Sequence, residues 1–76
     1  MSFMLVINGQ NRSFEKLTSS SSLAHLIAEM NLKGDRIAVE LNGAIIQRDR
    51  WNDTSIASGD RLEVVHFVGG GSGMFL

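Results

Sequence analysis

One segment of this sequence has the periodicity of a helix. Its apolar residues recur three and four positions apart, which places them on one side of a helix of about nine residues. These residues are Leu23, Leu26, Ile27 and Met30. Ser21 or Ser22 can cap the first turn, and Gly34 offers a stop near the helix end. Because a helix this short is marginal in water alone, it must pack against a sheet.

Strand patterns lie on both sides of this helix. The predicted strands cover residues 3–8, 12–16, 37–42, 44–46 and 62–68. Asn8-Gly9 joins the first two as a hairpin, and Asn42-Gly43 makes a second turn. The order is ββαβ(β)β. We therefore predict an α+β fold, with a mixed four- to five-stranded sheet and one main helix on one face.

The last predicted strand has two chemically different faces. Leu62 and Val64 lie on one face, while Val65 and Phe67 lie on the other. A single helix covers only one face of a sheet. If it covers Leu62 and Val64, then Val65 and Phe67 lie on the uncovered face, where apolar groups often mark binding sites. We therefore predict that Val65 and Phe67 form a partner-docking face.

A glycine-rich segment follows the last strand. Gly69, Gly70 and Gly71 cannot continue the strand, because glycine has no side chain to pack and loses the most backbone entropy on ordering. Residues 1–68 are therefore predicted to form one domain, and residues 69–76 a flexible tail.

The composition argues against several classes of protein. The 76 residues carry a net charge of −1 with no basic block, so no nucleic-acid partner is expected. No apolar run approaches the roughly 20 residues that span a bilayer, and we expect a cytoplasmic protein with no membrane partner. Without cysteine, and with only His25 and His66 as histidines, no metal site is expected. The serines lack a base at a defined spacing, so we expect no catalytic residues and no enzyme activity.

Three motifs in the second half of the chain share the order and spacing of a known family. Residues 42–51 read NGAIIQRDRW and fit the pattern N-x-x-(I/V)-(I/V)-x-R-x-x-W. Gly59-Asp60 follows as a turn, and residues 63–71 read EVVHFVGGG. In these features the chain resembles the ThiS family, the sulfur carriers of thiamine biosynthesis, from Leu5 to Gly71. The resemblance implies a ubiquitin-like β-grasp fold.

The resemblance also implies a carrier function. In that family a ThiF-type adenylyltransferase consumes ATP to adenylate the C-terminal glycine carboxylate. Sulfur from a donor such as a cysteine desulfurase then gives a thiocarboxylate, from which a ThiG-type thiazole synthase takes the sulfur. By this resemblance the reactive carboxylate belongs to Gly71, with Gly69 and Gly70 as its flexible arm. No bound cofactor is expected, since the activating partner uses the ATP.

The sequence departs from the family after Gly71. Residues 72–76 follow, so the Gly71 carboxyl group is held in a peptide bond and cannot be adenylated in this form. Three explanations are open: trimming by a protease, residues added by cloning, or loss of the carrier role. We adopt removal of residues 72–76 as the working interpretation. The alternative functions are a MoaD-like sulfur carrier for molybdopterin synthase and a ubiquitin-like interaction module that never carries sulfur.

Overall fold

The structure, a computed structural model, describes residues 3–67. Within this range the chain forms five strands, one α-helix and two short 3₁₀ segments. The strands are β1 (Phe3–Ile7), β2 (Gln10–Phe14), β3 (Ile37–Leu41), β4 (Ala44–Ile46) and β5 (Arg61–His66). The helix α1 spans Leu23–Glu29, and the 3₁₀ segments span Gly34–Arg36 and Arg48–Asp53. The predicted α+β class is confirmed.

The five strands form one mixed sheet in the order β2-β1-β5-β3-β4. β5 lies in the centre, parallel to β1 and antiparallel to β3. The two hairpins, β1–β2 and β3–β4, are antiparallel and occupy the outer positions. The last strand of the sequence is therefore held between the first strand and the strand that follows the helix.

The first hairpin differs by a small shift from the predicted one. Asn8 and Gly9 both have positive φ, 51° and 80°, as a two-residue hairpin turn requires. A turn this short places the next strand directly after Gly9, so β2 covers Gln10–Phe14 and not residues 12–16. The residue pair Asn42-Gly43 has φ of 51° and 90° and makes the equivalent turn between β3 and β4.

The helix packs its apolar stripe onto one face of the sheet. Leu23, Leu26 and Ile27 are buried there, and Ser22 caps the helix by accepting a hydrogen bond from the His25 backbone N–H at 3.1 Å. α1 has seven residues, and Asn31 adopts the left-handed conformation just beyond it with φ of 60°. Asn31 rather than Gly34 therefore supplies the helix stop.

The core lies between α1 and the sheet. Its most completely buried side chains are Leu5, Leu23, Leu26, Val39, Ile56 and Leu62. Leu62 and Val64 of β5 face this core, as the alternation of the sequence predicts. Among residues 3–67, no helix has the length and hydrophobicity needed to cross a membrane.

Candidate functional site

The predicted reactive residue and its arm lie outside the described residues. Gly69, Gly70 and Gly71 come shortly after Phe67, the last residue that the structure describes. The division between a domain of residues 1–68 and a tail of residues 69–76 also falls there and stays a prediction. The site is therefore described through strand β5, which precedes these glycines, and through the side chains around it.

Backbone pairing holds β5 along its edge with β3, whereas pairing with β1 covers only Arg61 and Leu62. The register with β3 runs from Leu41 opposite Leu62 to Ile37 opposite His66. Just past the strand, the backbone N–H of Phe67 donates a hydrogen bond to the Arg36 carbonyl at 3.1 Å. The whole of β5 is thus anchored to the core as far as the described chain extends.

The side chain of Asn8 extends this anchoring on the β1 side. The pairing of β1 with β5 ends at Ile7 opposite Leu62. Beyond that point the Asn8 Nδ2 donates to the Val64 carbonyl at 3.2 Å, and its Oδ1 accepts from the Val64 N–H at 2.7 Å. The backbone N–H and C=O of buried Val64 both have hydrogen-bond partners as a result. The sequence reasoning used Asn8 only as a turn residue and missed this role.

The sheet face turned away from α1 is called here the open face. It comprises Met4, Val6, Asn11, Ser13, Ala38, Glu40, Ile45, Arg61, Glu63 and Val65. The exposed large hydrophobic residues of the described range all lie on this face: Met4 at 39% exposure, Ile45 at 70% and Val65 at 36%. Val65 was predicted on this face, whereas Met4 and Ile45 were not among the predicted docking residues. That a partner docks on this face stays a prediction, and the exposed apolar side chains are the observation that fits it.

Phe67 lies at the edge of the open face. It is half-buried and borders a hollow of about 420 Å³, whose lining includes Ile37, Ile45 and Trp51. Val65 does not line this hollow. Val65 therefore lies on the open face, and Phe67 lies at the hollow beside it. Ile45 belongs to the open face and also lines the hollow.

Gly34 makes room for the ring of Trp51 beside this hollow. A Cβ atom at Gly34 would lie 2.9 Å from Cζ3 of Trp51 and 3.3 Å from Nε of Arg48. The ring cannot easily move, because Trp51 is 6% exposed and its indole N–H donates to the Ile46 carbonyl at 3.0 Å. Gly34 is therefore needed for this close approach, which no local sequence signal reveals.

Asn42 and Asp60 link the two turns at one end of the sheet. The Asn42 Nδ2 donates to the Asp60 carboxylate at 3.0 Å, and its Oδ1 accepts from the Arg61 backbone N–H at 2.9 Å. The second carboxylate oxygen of Asp60 accepts from the Ala57 N–H at 2.7 Å. Asn42 and Asp60, which both belong to the motifs of the family resemblance, therefore have a structural role. Their hydrogen bonds fix the residue at which β5 begins.

Side chains that often take part in catalysis have structural or isolated positions here. Nε2 of His25 lies 3.9 Å from a carboxylate oxygen of Glu29, and His66 is exposed. Buried Ser21 accepts a hydrogen bond from the Thr18 backbone N–H. In residues 3–67, no three His, Asp or Glu side chains lie close enough together to hold a metal ion.

Comparison with known proteins supports the resemblance. The ThiS family model matches residues 5–71. The sulfur carrier protein ThiS of Bacillus subtilis is 35% identical over 68 residues, covering 90% of this chain and 100% of that protein. A thiazole synthase of Paramagnetospirillum magneticum is 37% identical over 68 residues, 90% of this chain and 20% of that protein. The chain thus spans only about a fifth of the thiazole synthase that it matches.

Structural comparison agrees with the sequence matches. The crystal structure of the thiamine biosynthesis protein ThiS from Geobacter metallireducens has a TM-score of 0.76 and 28% sequence identity to this chain. The match covers 90% of this chain and 99% of that one. The predicted β-grasp fold is confirmed by this likeness. The chain belongs to the ThiS family.

Proposed function

We propose that this chain carries sulfur for thiazole formation in thiamine biosynthesis. The observation that carries the proposal is the family match, which runs through the three glycines to Gly71. The Bacillus subtilis relative, matched over its full length, is itself a sulfur carrier protein. No comparable observation favours a MoaD-like carrier or a docking module without sulfur chemistry.

The proposed chemistry takes place at the carboxyl group of Gly71. A carboxylate oxygen attacks the α-phosphorus of ATP on a ThiF-type adenylyltransferase, and pyrophosphate leaves. The outer sulfur of a persulfide, for example on a cysteine desulfurase, then attacks the acyl carbon and displaces AMP, which gives an acyl disulfide. A second thiol attacks the donor's sulfur in that disulfide, so that a new disulfide forms between the donor and the second thiol and the thiocarboxylate is released on Gly71. Gly69 and Gly70 suit the approach to an active site, because they have no side chains to obstruct it.

This chemistry requires a free carboxylate at Gly71. In the printed sequence Gly71 is joined to Ser72, so the peptide bond between them must first be hydrolysed. We assign this step to a trimming protease, which removes residues 72–76 and exposes the reactive group.

The open face is the proposed docking surface for the partners. Val65 and Phe67 are its predicted contacts, and the exposure of Ile45 and Met4 adds apolar area beside them. A thiazole synthase is the proposed sulfur acceptor. Two proteins with that name, from Paramagnetospirillum magneticum and Magnetococcus marinus, have a region similar to this chain.

Co-purification tests the choice of acceptor. The tagged chain is mixed in separate experiments with a purified thiazole synthase and with the large subunit of molybdopterin synthase. We expect retention of the thiazole synthase. Retention of the molybdopterin synthase subunit alone would contradict the proposal and favour the MoaD-like function.

A pair of variants tests the docking surface in the same assay. Ile45→Ser removes an exposed apolar side chain from the open face, and we expect it to weaken binding about tenfold or more. Ala28→Ser is the control, since Ala28 is exposed on α1, on the other side of the sheet. Equal affinities for the two variants would show that the open face is not the docking surface.

A further inference from the structure

Two glutamates face each other at the middle of the open face. Glu40 on β3 and Glu63 on β5 are directly opposite in the antiparallel register. Side chains in this position have Cβ atoms about 4.5–5.5 Å apart, and like charges there destabilise a sheet. Folding by itself therefore gives no reason for this pair.

No cation within residues 3–67 forms an ion pair with Glu40 or Glu63. Within residues 3–67, the one ion pair closer than 4 Å joins His25 and Glu29, which lie on α1 on the other side of the sheet. Arg61 borders the same hollow of about 340 Å³ as Glu40 and Glu63, but it forms no ion pair with either. The two carboxylates and this guanidinium together leave one uncompensated negative charge.

Apolar side chains lie beside the pair, although Asn42 and Arg61 also line the hollow. Ile45 lies directly opposite Glu40 on the neighbouring strand, and Val6 lines the hollow. Val65 and Met4 add further exposed apolar area on the same face. A partner that covers these side chains excludes water, which strengthens the attraction between charges beneath it.

We infer that Glu40 and Glu63 together receive one cationic side chain, an arginine, from the protein that docks on the open face. A guanidinium is planar and presents five N–H donors, so it can bridge two carboxylates, which a compact ammonium group does less well. One arginine also matches the single uncompensated negative charge. This inference rests on the proposed docking to a thiazole synthase, and it names the charge that the partner must supply.

The test compares three isosteric variants of the full chain. Glu40→Gln/Glu63→Gln removes both charges from the open face. The matched control is Glu15→Gln/Glu29→Gln, which removes two charges from exposed positions elsewhere. Glu63→Gln alone shows how much one carboxylate contributes. The dissociation constant for a purified thiazole synthase is measured at two salt concentrations, and the urea midpoint of each variant is measured alone.

We expect the open-face double variant to bind at least about tenfold more weakly and with a smaller salt dependence. The control stays within about twofold of the wild type. The urea midpoint of the open-face variant should stay the same or rise, because a repulsive pair is lost. That result separates lost recognition from misfolding.

Three outcomes would overturn the inference in distinguishable ways. If the wild type binds and the open-face variant binds equally well, the charge assignment is wrong and the proposed function stands. If the wild type does not bind a thiazole synthase at all, the proposed acceptor and this inference both fail. Equal weakening in the open-face variant and the control would mean that net charge, and not this pair, determines binding.

Discussion

The contact between Gly34 and Trp51 shows how one missing side chain can shape the molecule. The Trp51 ring closes the core next to the 3₁₀ segment that contains Gly34, and its indole N–H is already bonded to the Ile46 carbonyl. With a Cβ at 2.9 Å from the ring, either the segment or the indole must move. Overpacking of this kind costs stability even when the added group is one methyl.

We therefore expect Gly34→Ala to destabilise the protein by about 1–3 kcal/mol. In a domain of this size that corresponds to a lower Tm by about 4–8 °C for each kcal/mol. Thermal unfolding followed by circular dichroism measures the change. Lys33→Ala is the control, because Lys33 is exposed and its side chain forms no capping hydrogen bond. An unchanged Tm for Gly34→Ala would show that the ring has room to move.

Asn8 allows the backbone and side-chain contributions of one residue to be separated. Asn8→Gly keeps a residue suited to φ of 51° but loses both hydrogen bonds to Val64. We expect it to cost about 1–3 kcal/mol, because the buried Val64 N–H loses its partner. Asn8→Ala should cost about 1–2 kcal/mol more, for the positive φ. Urea unfolding measures both values, and equal stability of Asn8→Gly and the wild type would refute the role assigned to the side chain.

At the scale of secondary-structure elements, the two turns joined by Asn42 and Asp60 act as one unit. The β3–β4 turn and the turn before β5 share the Asn42–Asp60 hydrogen bond, and Asn42 also accepts from the first N–H of β5. The position at which β5 starts therefore depends on both turns.

A double-mutant cycle tests this coupling. Asn42→Ala, Asp60→Ala and the double variant are compared by urea unfolding. We expect the loss in the double variant to be smaller than the sum of the single losses, with a coupling of about 0.5–3 kcal/mol. Additive losses would mean that the two turns are independent, despite the 3.0 Å hydrogen bond between them.

The strands and the helix could be predicted from the sequence because their patterns depend only on residues close together in the chain. Alternation along β5 predicted that Leu62 and Val64 face the core and that Val65 faces away, because strand periodicity depends only on neighbouring residues. The helix stripe was found for the same reason. The helix stop was misassigned to Gly34 because the sequence contains two residues suited to positive φ, and Asn31 comes first.

At the scale of the whole molecule, the features that the sequence did not reveal are long-range. Glu40 and Glu63 face each other because of the pairing register of β3 with β5. The two hydrogen bonds between the Asn8 side chain and the Val64 backbone depend on the pairing of β1 with β5. The exposure of Ile45 follows from the position of β4 at the sheet edge. Family motifs could predict the sulfur-carrier family and the overall fold, but not these contacts.

The molecule therefore combines a central strand, bonded to its neighbours, with an open face that exposes apolar side chains. β5 lies at the centre of the sheet and is bonded on both edges, and the open face carries the exposed apolar residues of the described range. In the proposed function, partners dock on this face while the Gly71 carboxylate reaches their active sites. The carrier then needs no catalytic group of its own.

Intact-mass spectrometry tests most directly whether Gly71 carries sulfur. The chain ending at Gly71 is incubated with a ThiF-type adenylyltransferase, ATP, a persulfide sulfur source and a thiol reductant, and the full chain with residues 72–76 attached serves as the control. We expect the shortened chain to gain the mass difference between one sulfur and one oxygen atom, and the full chain to gain nothing. If the shortened chain gains no mass while a ThiS of known activity does so under the same conditions, Gly71 is not the sulfur-carrying residue.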